Sequence, residues 1–177
     1  KPSDVLKYFQ NEYNEYGDLF VKAFSIAYSY HATSGMFARN PVFRMPPLSK
    51  SSISLVSNLL SKADNENANF QVFYCLYEIA SSFPFLFVKN AQQVFVLTFS
   101  NFDNSLVEYL ATQKGNINEF KKSLYSFLFL IKCLFSIKIL NEFIPWCVIN
   151  INNFNDSQIF IFVFILEFLF RIKSVYK

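Results

Sequence analysis

The side chains that most often carry out chemistry in proteins are scarce in this sequence and lie far apart. His31 is the single histidine, and the three cysteines are Cys75, Cys133 and Cys147. A serine or cysteine nucleophile needs a base within hydrogen-bond reach, and no Ser- or Cys-based motif lies near His31. We therefore expect His31 to cap a helix end or lie on the surface, where the helix dipole favours a cation. A catalytic base is the alternative.

Sites for metals, phosphates and acid–base catalysis have no evident set of ligands either. A structural zinc site needs about four Cys or His side chains at close spacing. The glycines Gly17, Gly35 and Gly115 stand alone, so no glycine-rich phosphate loop is present. No two carboxylates are marked as an acid–base pair. The sequence therefore predicts a protein that is not an enzyme and that uses no metal or other cofactor.

The cysteines favour an intracellular protein. Their number is odd, their spacing is wide and their surroundings are apolar, which argues against a disulfide framework. We expect buried thiols in a reducing compartment. The N-terminal residues are rich in Tyr and Glu, whereas a signal peptide is basic and then apolar. These features together favour a cytoplasmic location.

Composition points to packing rather than to chemistry. Hydrophobic residues make up 53% of the chain and charged residues 16%, against roughly 25% charged in an ordinary soluble domain. The sequence has 24 Phe and 10 Tyr, and each ring can bury roughly 150–250 Å². We expect neighbouring chain or a partner protein to cover part of this surface. The net charge of +3 comes with scattered basic residues, so we expect no nucleic-acid partner.

Apolar residues recur at three- and four-residue intervals, which predicts an all-α fold of roughly eight helices. We expect residues 1–31 to form N-terminal helices, residues 32–50 a proline-containing connector and residues 51–177 a helical, repeat-like region. The sequence opens with Lys1 rather than Met, and we expect a fragment of a longer polypeptide.

Capping residues and prolines set the predicted helix limits in the last region. Four helix starts carry a capping residue, three of them with a capping-box partner three positions on: Asp103, Asn90 with Gln93, Asn116 with Glu119, and Asn155 with Gln158. The longest helix is expected after Glu119 and is interrupted by Pro145, whereas Pro84 stops an earlier helix. Residues 148–151 have a strand-like pattern.

Two local features could bind a partner. In the connector, Arg44 stands before the pair Pro46 and Pro47, and a polyproline II segment of this kind can dock in an aromatic groove. The simpler interpretation is a linker that leads into the next helix. Trp146 is either an interface anchor or, as is more common, a core side chain. Arg44, Pro46, Pro47 and Trp146 are the candidate partner-binding residues.

Two stretches of the chain have a similar apolar pattern, and each is followed by a proline. Residues 72–76 are followed by Pro84, and residues 129–134 are followed by Pro145. This pattern resembles an armadillo- or HEAT-type helical repeat over residues 51–177, whose units are helix pairs or triplets of about 40–47 residues. The resemblance implies an α-solenoid-like array and a scaffold that binds other proteins or flanking repeats of the same chain. No signature motif is present, so the resemblance assigns no site residue.

A membrane-embedded helical segment is the alternative function. Residues 123–140 and 158–170 are the most apolar stretches, but a spanning helix needs about 20 mostly apolar residues. Lys132 and Lys138 interrupt the first stretch, and Glu167 interrupts the second. We expect both stretches to be buried helices of a large helical assembly.

Overall fold

The chain folds as packed α-helices in a computed structural model, which describes residues 50–175. This part holds seven α-helices and three 3₁₀ segments and contains no strand. The α-helices are α1 (Lys50–Ala63), α2 (Phe70–Ser82), α3 (Ala91–Ser100), α4 (Asn104–Thr112), α5 (Lys121–Cys133), α6 (Ile137–Asn150) and α7 (Asp156–Val175). The 3₁₀ segments are Pro84–Asn90, Ile117–Glu119 and Ile151–Asn153. The all-α prediction is confirmed here, whereas the predicted helices of residues 1–31 and the connector as far as residue 49 lie outside the described residues.

Helices α2 and α5 pack against each other with their N-termini at the same end. The Tyr125 ring on α5 lies 6.1 Å from the Phe70 ring and 5.0 Å from the Tyr74 ring on α2. Lys121 Nζ lies 4.6 Å from the centroid of the Phe70 ring, which brings the first turns of the two helices together. Because both helices start at this end, they run in the same direction.

The chain turns after α2 at the predicted proline. Helix α2 ends at Ser82, and Pro84 opens the 3₁₀ segment that leads into α3, so the prediction for Pro84 is confirmed. The predicted capping box of Asn90 and Gln93 is wrong. Asn90 has φ −110° and ψ 17°, away from the extended backbone of a capping residue, because the 3₁₀ segment continues directly into α3. Its Nδ2 donates to Gln93 Oε1 at 3.3 Å instead.

Two of the other predicted caps are confirmed and one is displaced. Asp103 Oδ1 accepts the N–H of Leu106 at 3.0 Å and caps α4. Asn155 and Gln158 form a reciprocal capping box, with both side chain–backbone distances at 2.9 Å. Asn116 caps only the short 3₁₀ segment, and α5 begins two residues after that segment ends, without a side-chain cap.

The expected long helix is two helices, and its break lies earlier than predicted. Helix α5 ends at Cys133, α6 begins at Ile137, and the chain bends by 119° between them. Pro145 does not interrupt the chain: it lies inside α6 on the exposed side, where water can solvate the carbonyl group that lacks its partner N–H. The strand predicted from the pattern of residues 148–151 is also wrong, because these residues continue α6 into the next 3₁₀ segment.

Helices α6 and α7 form a hairpin whose inner face closes the core. The 3₁₀ segment Ile151–Asn153 joins them, and the start of α6 faces the end of α7. On the inner face, Phe143 of α6 and Ile161 and Ile165 of α7 are fully buried. Val148 and Ile149 are helical despite their strand propensity although they are exposed, because the buried Phe143 and Cys147 hold α6 against the core.

Candidate functional site

The cysteine side chains are buried and protonated rather than reactive. Cys75, Cys133 and Cys147 are free thiols with no exposed surface, so the prediction of buried thiols is confirmed. Burial raises the pKa of Cys133 far above its usual value and the pKa of Cys147 to about 12. Burial and, to a smaller extent, the Glu78 carboxylate raise the pKa of Cys75. Since the thiolate is the nucleophile and the metal ligand, these thiols are poorly suited to either role at neutral pH.

The polar side chains of the described residues mostly make local hydrogen bonds, in helix caps or within one helix, and a few of them join helices. Between residues 50 and 175, no group of three or more His, Cys, Asp or Glu side chains is arranged to hold a metal ion. Asp103 Oδ1 lies 3.2 Å from Ser123 Oγ, so the capping residue of α4 also contacts α5. His31, the one histidine, lies outside the described residues.

Of the four predicted partner-binding residues, Trp146 alone lies within the described residues. Arg44, Pro46 and Pro47 lie outside the described residues. Trp146 is partly buried, and its ring centroid lies 5.1 Å from that of Phe99. Its position in α6 is that of a side chain packed against the core, and it does not line the groove described below.

The exposed apolar side chains of the described residues are concentrated in α6, α7 and the turns beside them. Of the twelve large hydrophobic side chains that are exposed, only Val96 and Ile117 lie elsewhere. The other ten are Phe135, Ile137, Val148, Ile149, Ile151, Ile159, Phe160, Val163, Phe168 and Phe170. Only four charged residues occur between positions 135 and 170, so this surface is apolar and poor in charge.

Helix α7 is apolar on both its inner and its outer face. Phe162 on the inner face is 6% exposed, whereas Phe160 and Val163 on the outer face are 37% and 48% exposed. An amphipathic helix at the surface of a soluble protein would carry polar residues at these outer positions. The outer face of α7 therefore has the composition of a contact surface.

A groove lies between the start of α6 and the end of α7. Its volume is about 570 Å³. The lining side chains are Leu134, Phe135, Ile137, Leu140, Ile144, Leu166, Leu169, Phe170 and Ile172. All nine are apolar, and Phe135, Ile137 and Phe170 at the rim are 60%, 72% and 70% exposed. Such a groove suits an apolar partner and offers no group for catalysis.

Several charged residues are neighbours of the groove residues in sequence, and none of them lines the groove. Lys132 Nζ lies 5.7 Å from the centroid of the Phe135 ring. Lys138 is exposed and follows Ile137, and Arg171 stands between the lining residues Phe170 and Ile172. Glu167, next to the lining residue Leu166, is the acidic residue on this part of α7. Lys138 and Glu142 on α6, and Glu167 and Arg171 on α7, are each four positions apart and opposite in charge, so these two helices give the groove no excess of positive charge.

A second concavity, of about 450 Å³, lies at the start of α3. Residues 88–93 line it together with Glu142 of α6. Two of its amides are paired with each other, since Asn90 donates to Gln93. Because Glu142 lines this concavity and does not line the apolar groove, it lies on a different side of α6 from the groove.

The sequence did not reveal the groove residues. Residues 123–140 and 158–170 are recognisably apolar, but their patterns are so uniform that periodicity does not separate inner from outer positions. Phe160 and Phe162 are the same residue type two positions apart, and only one is buried. The bend after Cys133, which exposes Phe135 and Ile137, carries no proline or glycine.

The lengths of the apolar helices bear on a membrane location. Within residues 50–175, no individual helix combines the length and hydropathy needed to cross a bilayer. Two helix pairs reach that length and composition together, Phe70–Ser81 with Pro84–Ser100 and Lys121–Cys133 with Ile137–Asn153. They bend by 114° and 119° at the break between their members.

Comparison with known proteins gives no relative: no protein-family model, curated protein or solved structure matches this chain.

Proposed function

We propose that this chain is a non-enzymatic protein-interaction scaffold, a segment of a larger α-helical repeat protein of the armadillo or HEAT type. The observation that carries the proposal is the concentration of exposed apolar side chains on α6 and α7. Ile137, Ile149 and Phe170 are each at least 70% exposed. Soluble monomers rarely expose large apolar patches, and such patches mark sites of contact with other proteins. Depletion of charge with retention of aromatic residues is also typical of the core of a protein interface.

The arrangement of the helices supports the repeat part of the proposal. In an α-solenoid each unit packs only on its neighbours, and equivalent helices of successive units lie side by side. Helices α2 and α5 lie side by side and start at the same end. A terminal unit needs a polar outer face, and α7 instead presents Phe160 and Val163. We therefore propose that a further helical layer, or a partner protein, covers the outer face of α7. We also propose that the protein is located in the cytoplasm.

The two similar sequence stretches, residues 72–76 and 129–134, do not occupy equivalent positions in their helices. Residues 72–76 lie in the first half of α2, whereas residues 129–133 close α5. Pro84 starts a 3₁₀ segment and Pro145 lies within a helix. The support for a repeat therefore comes from helix arrangement, and the similarity of these two stretches adds nothing to it.

A membrane-embedded segment is the second candidate, and the two bent apolar helix pairs favour it. The two functions differ in how the protein is held in a cell. An embedded chain stays with the membrane fraction after a carbonate wash, whereas a scaffold is released into the soluble fraction. Release contradicts the membrane function, and retention contradicts a cytoplasmic scaffold.

The scaffold proposal is tested on the purified chain of residues 1–177. We expect it to bind an apolar dye and to self-associate in analytical ultracentrifugation, because the outer face of α7 exposes Phe160 and Val163. Replacing Ile137, Val163 and Phe170 with serine should reduce both effects while the helical circular dichroism is retained. The matched control replaces the exposed Gln92, Gln113 and Asn141 with serine and should change neither. A monomeric wild-type chain that binds no dye contradicts the proposal.

A further inference from the structure

The helices that follow α1 fall into two groups of three with the same order. The first group is α2, α3 and α4, and the second is α5, α6 and α7. Each helix of the first group packs against its counterpart in the second, α2 on α5, α3 on α6 and α4 on α7. Helix α5 begins 51 positions after α2, and α7 begins 52 positions after α4. The two groups therefore share a spacing as well as an order.

The first helices of the two groups bury the same positions. Both have 13 residues. Tyr74 of α2 and Tyr125 of α5 are 51 positions apart, and their rings are in contact at 5.0 Å. A stack of similar units brings equivalent residues of neighbouring units together in this way. The core positions have the same spacing: they are Val72, Cys75, Leu76 and Ile79 in α2, and Ser123, Ser126, Phe127 and Leu130 in α5.

The second helices have matching hydrogen bonds near their ends. In α3, Thr98 Oγ1 donates to the backbone oxygen of Val94 at 2.8 Å. In α6, Asn150 Nδ2 donates to the backbone oxygen of Trp146, also at 2.8 Å. Donor and acceptor in α6 each lie 52 positions after their counterparts in α3. A side-chain bond to the carbonyl group one turn earlier thus recurs at the same place in each group.

The third helices begin with the same cap. Asp103 Oδ1 accepts a backbone N–H at 3.0 Å and Asn155 Oδ1 accepts one at 2.9 Å, in each case from the residue three positions later. The two capping residues are 52 positions apart. Each lies in a similar sequence, Asn-Phe-Asp-Asn-Ser at 101–105 and Asn-Phe-Asn-Asp-Ser at 153–157. Sequence and local structure therefore agree on the spacing.

The two groups differ at the ends of their helices. Residues 85–90 lie in a 3₁₀ segment, whereas their counterparts at 137–142 begin α6. Helix α4 ends at Thr112, and α7 continues beyond the equivalent Phe164 to its end at Val175. The second half of α7 therefore has no counterpart in the first group. These differences change helix length and leave the spacing of the buried positions as it is.

We infer that α2–α4 and α5–α7 are two copies of one three-helix repeat unit, and that units of this kind bind one another through the face at which α2 meets α5. This inference rests on the proposed repeat function and identifies the unit that repeats. The partner that fits this face is a further unit with the same order of helices and the same spacing.

The test lengthens the full chain by one unit at equivalent positions. The first variant joins residues 1–150 to residues 99–177, so that α6 continues into the turn before a second copy of α4. The second variant joins residues 1–120 to residues 70–177 and thereby repeats the first unit. The stability of a repeat array is a sum of unit and interface terms, so a stacked additional unit should raise it.

We expect both variants to keep the mean residue ellipticity of the parent chain and to unfold at a higher urea concentration. The slope of the unfolding free energy against urea concentration should rise about 1.3-fold, in proportion to chain length, because the added unit unfolds with the rest. Apolar-dye binding per molecule should stay unchanged, since the neighbouring units cover the one that is added.

An out-of-register control separates stacking from a gain of helical chain. It joins residues 1–150 to residues 97–177 and so differs from the first variant only by Leu97 and Thr98 at the junction. Two extra residues turn the following segment by about 200° around the helix axis. We expect this control to unfold at a lower urea concentration than the first variant and to bind more dye.

The inference is supported if at least one lengthened variant is more stable than the parent chain and the control is not. It is overturned if neither variant is more stable, if both lose ellipticity or bind more dye, or if the control gains as much stability as the first variant. The exposed apolar surface on which the scaffold proposal rests is tested separately, by dye binding and self-association of the parent chain.

Discussion

The side-chain nitrogen Nε2 of Gln158 donates a hydrogen bond of 2.9 Å to the backbone carbonyl oxygen of Phe99. Gln158 lies in the first turn of α7 and Phe99 in the last turn of α3, 59 positions earlier. The Oε1 atom of the same side chain accepts the N–H of Asn155 at 2.9 Å. One side chain thus completes the cap of α7 and attaches this helix to α3. It holds the start of α7 against the end of α3.

Removal of this side chain should destabilise the fold. We expect Gln158→Ala to lower the free energy of unfolding by about 1–2 kcal/mol, because it removes the capping-box acceptor and the bond to Phe99. Urea denaturation followed by circular dichroism measures this change. The control is Gln93→Ala, at the equivalent position of a capping box that does not form. Its effect should stay within about 0.5 kcal/mol. Equal effects of the two substitutions would show that the Gln158 bonds add no stability.

Two buried serines of α5 differ in their hydrogen bonds and should respond in opposite ways to alanine. Ser126 Oγ is buried and has no partner, whereas Ser123 Oγ lies 3.1 Å from Phe120 O and 3.2 Å from Asp103 Oδ1. Ser126→Ala should therefore stabilise the protein by up to about 1 kcal/mol, and Ser123→Ala should destabilise it by about 1 kcal/mol. Thermal melts of both variants test this pair, and a lower melting temperature for Ser126→Ala would contradict it.

Substitutions on the inner and outer faces of α7 should differ in their effect on folding stability. Phe162 is 6% exposed and its ring lies 6.3 Å from that of Phe143, so Phe162→Ala should cost about 3–5 kcal/mol of folding stability. Phe160, two positions earlier, is 37% exposed, and Phe160→Ala should cost about 1 kcal/mol or less. Apolar-dye binding should fall in Phe160→Ala, since it removes part of the outer face. Equal costs in denaturant titrations would mean that the two faces of α7 are equally buried in solution.

The buried thiols should make folding sensitive to high pH. Burial raises the pKa of Cys147 from 9.0 to about 12, so the thiol stays protonated in the folded chain while the unfolded chain ionises. The unfolded state then binds fewer protons, and stability falls as the pH rises from about 9 towards 12, by about 1 kcal/mol per pH unit. Below pH 9 the contribution of Cys147 is fully present.

The Cys147→Ala variant isolates this contribution from the titration of other groups. The stability difference between wild type and variant should shrink between pH 8 and pH 11, as measured by urea denaturation at each pH. A difference that stays constant over this range would show that Cys147 reaches solvent in the folded protein.

The sequence predicted the helices better than their breaks and faces. Asp103, Pro84 and the Asn155–Gln158 box set helix limits through local hydrogen bonds and fixed backbone angles, which the residue types alone encode. The break after Cys133 has no such signal, because it depends on how α6 packs against the core. Pro145 carries a strong signal that the packing of Phe143 and Cys147 overrides.

The candidate surface was predicted only in general terms. The composition predicted uncovered apolar surface, and the structure locates it on α6 and α7. The individual residues could not be predicted, since Ile and Phe occupy both faces of α7 and burial there depends on neighbouring helices. Trp146 was named as an interface or core residue, and its partial burial against Phe99 places it with the core.

Site-specific photocrosslinking tests most directly whether the outer face of α7 contacts protein. A photoreactive amino acid replaces Val163, which is 48% exposed, or the exposed Gln92 of α3 as the matched control, in cells that express the chain. The account predicts discrete protein adducts from position 163 and none from position 92. Adducts with lipid alone, or reaction only with water at position 163, would contradict it.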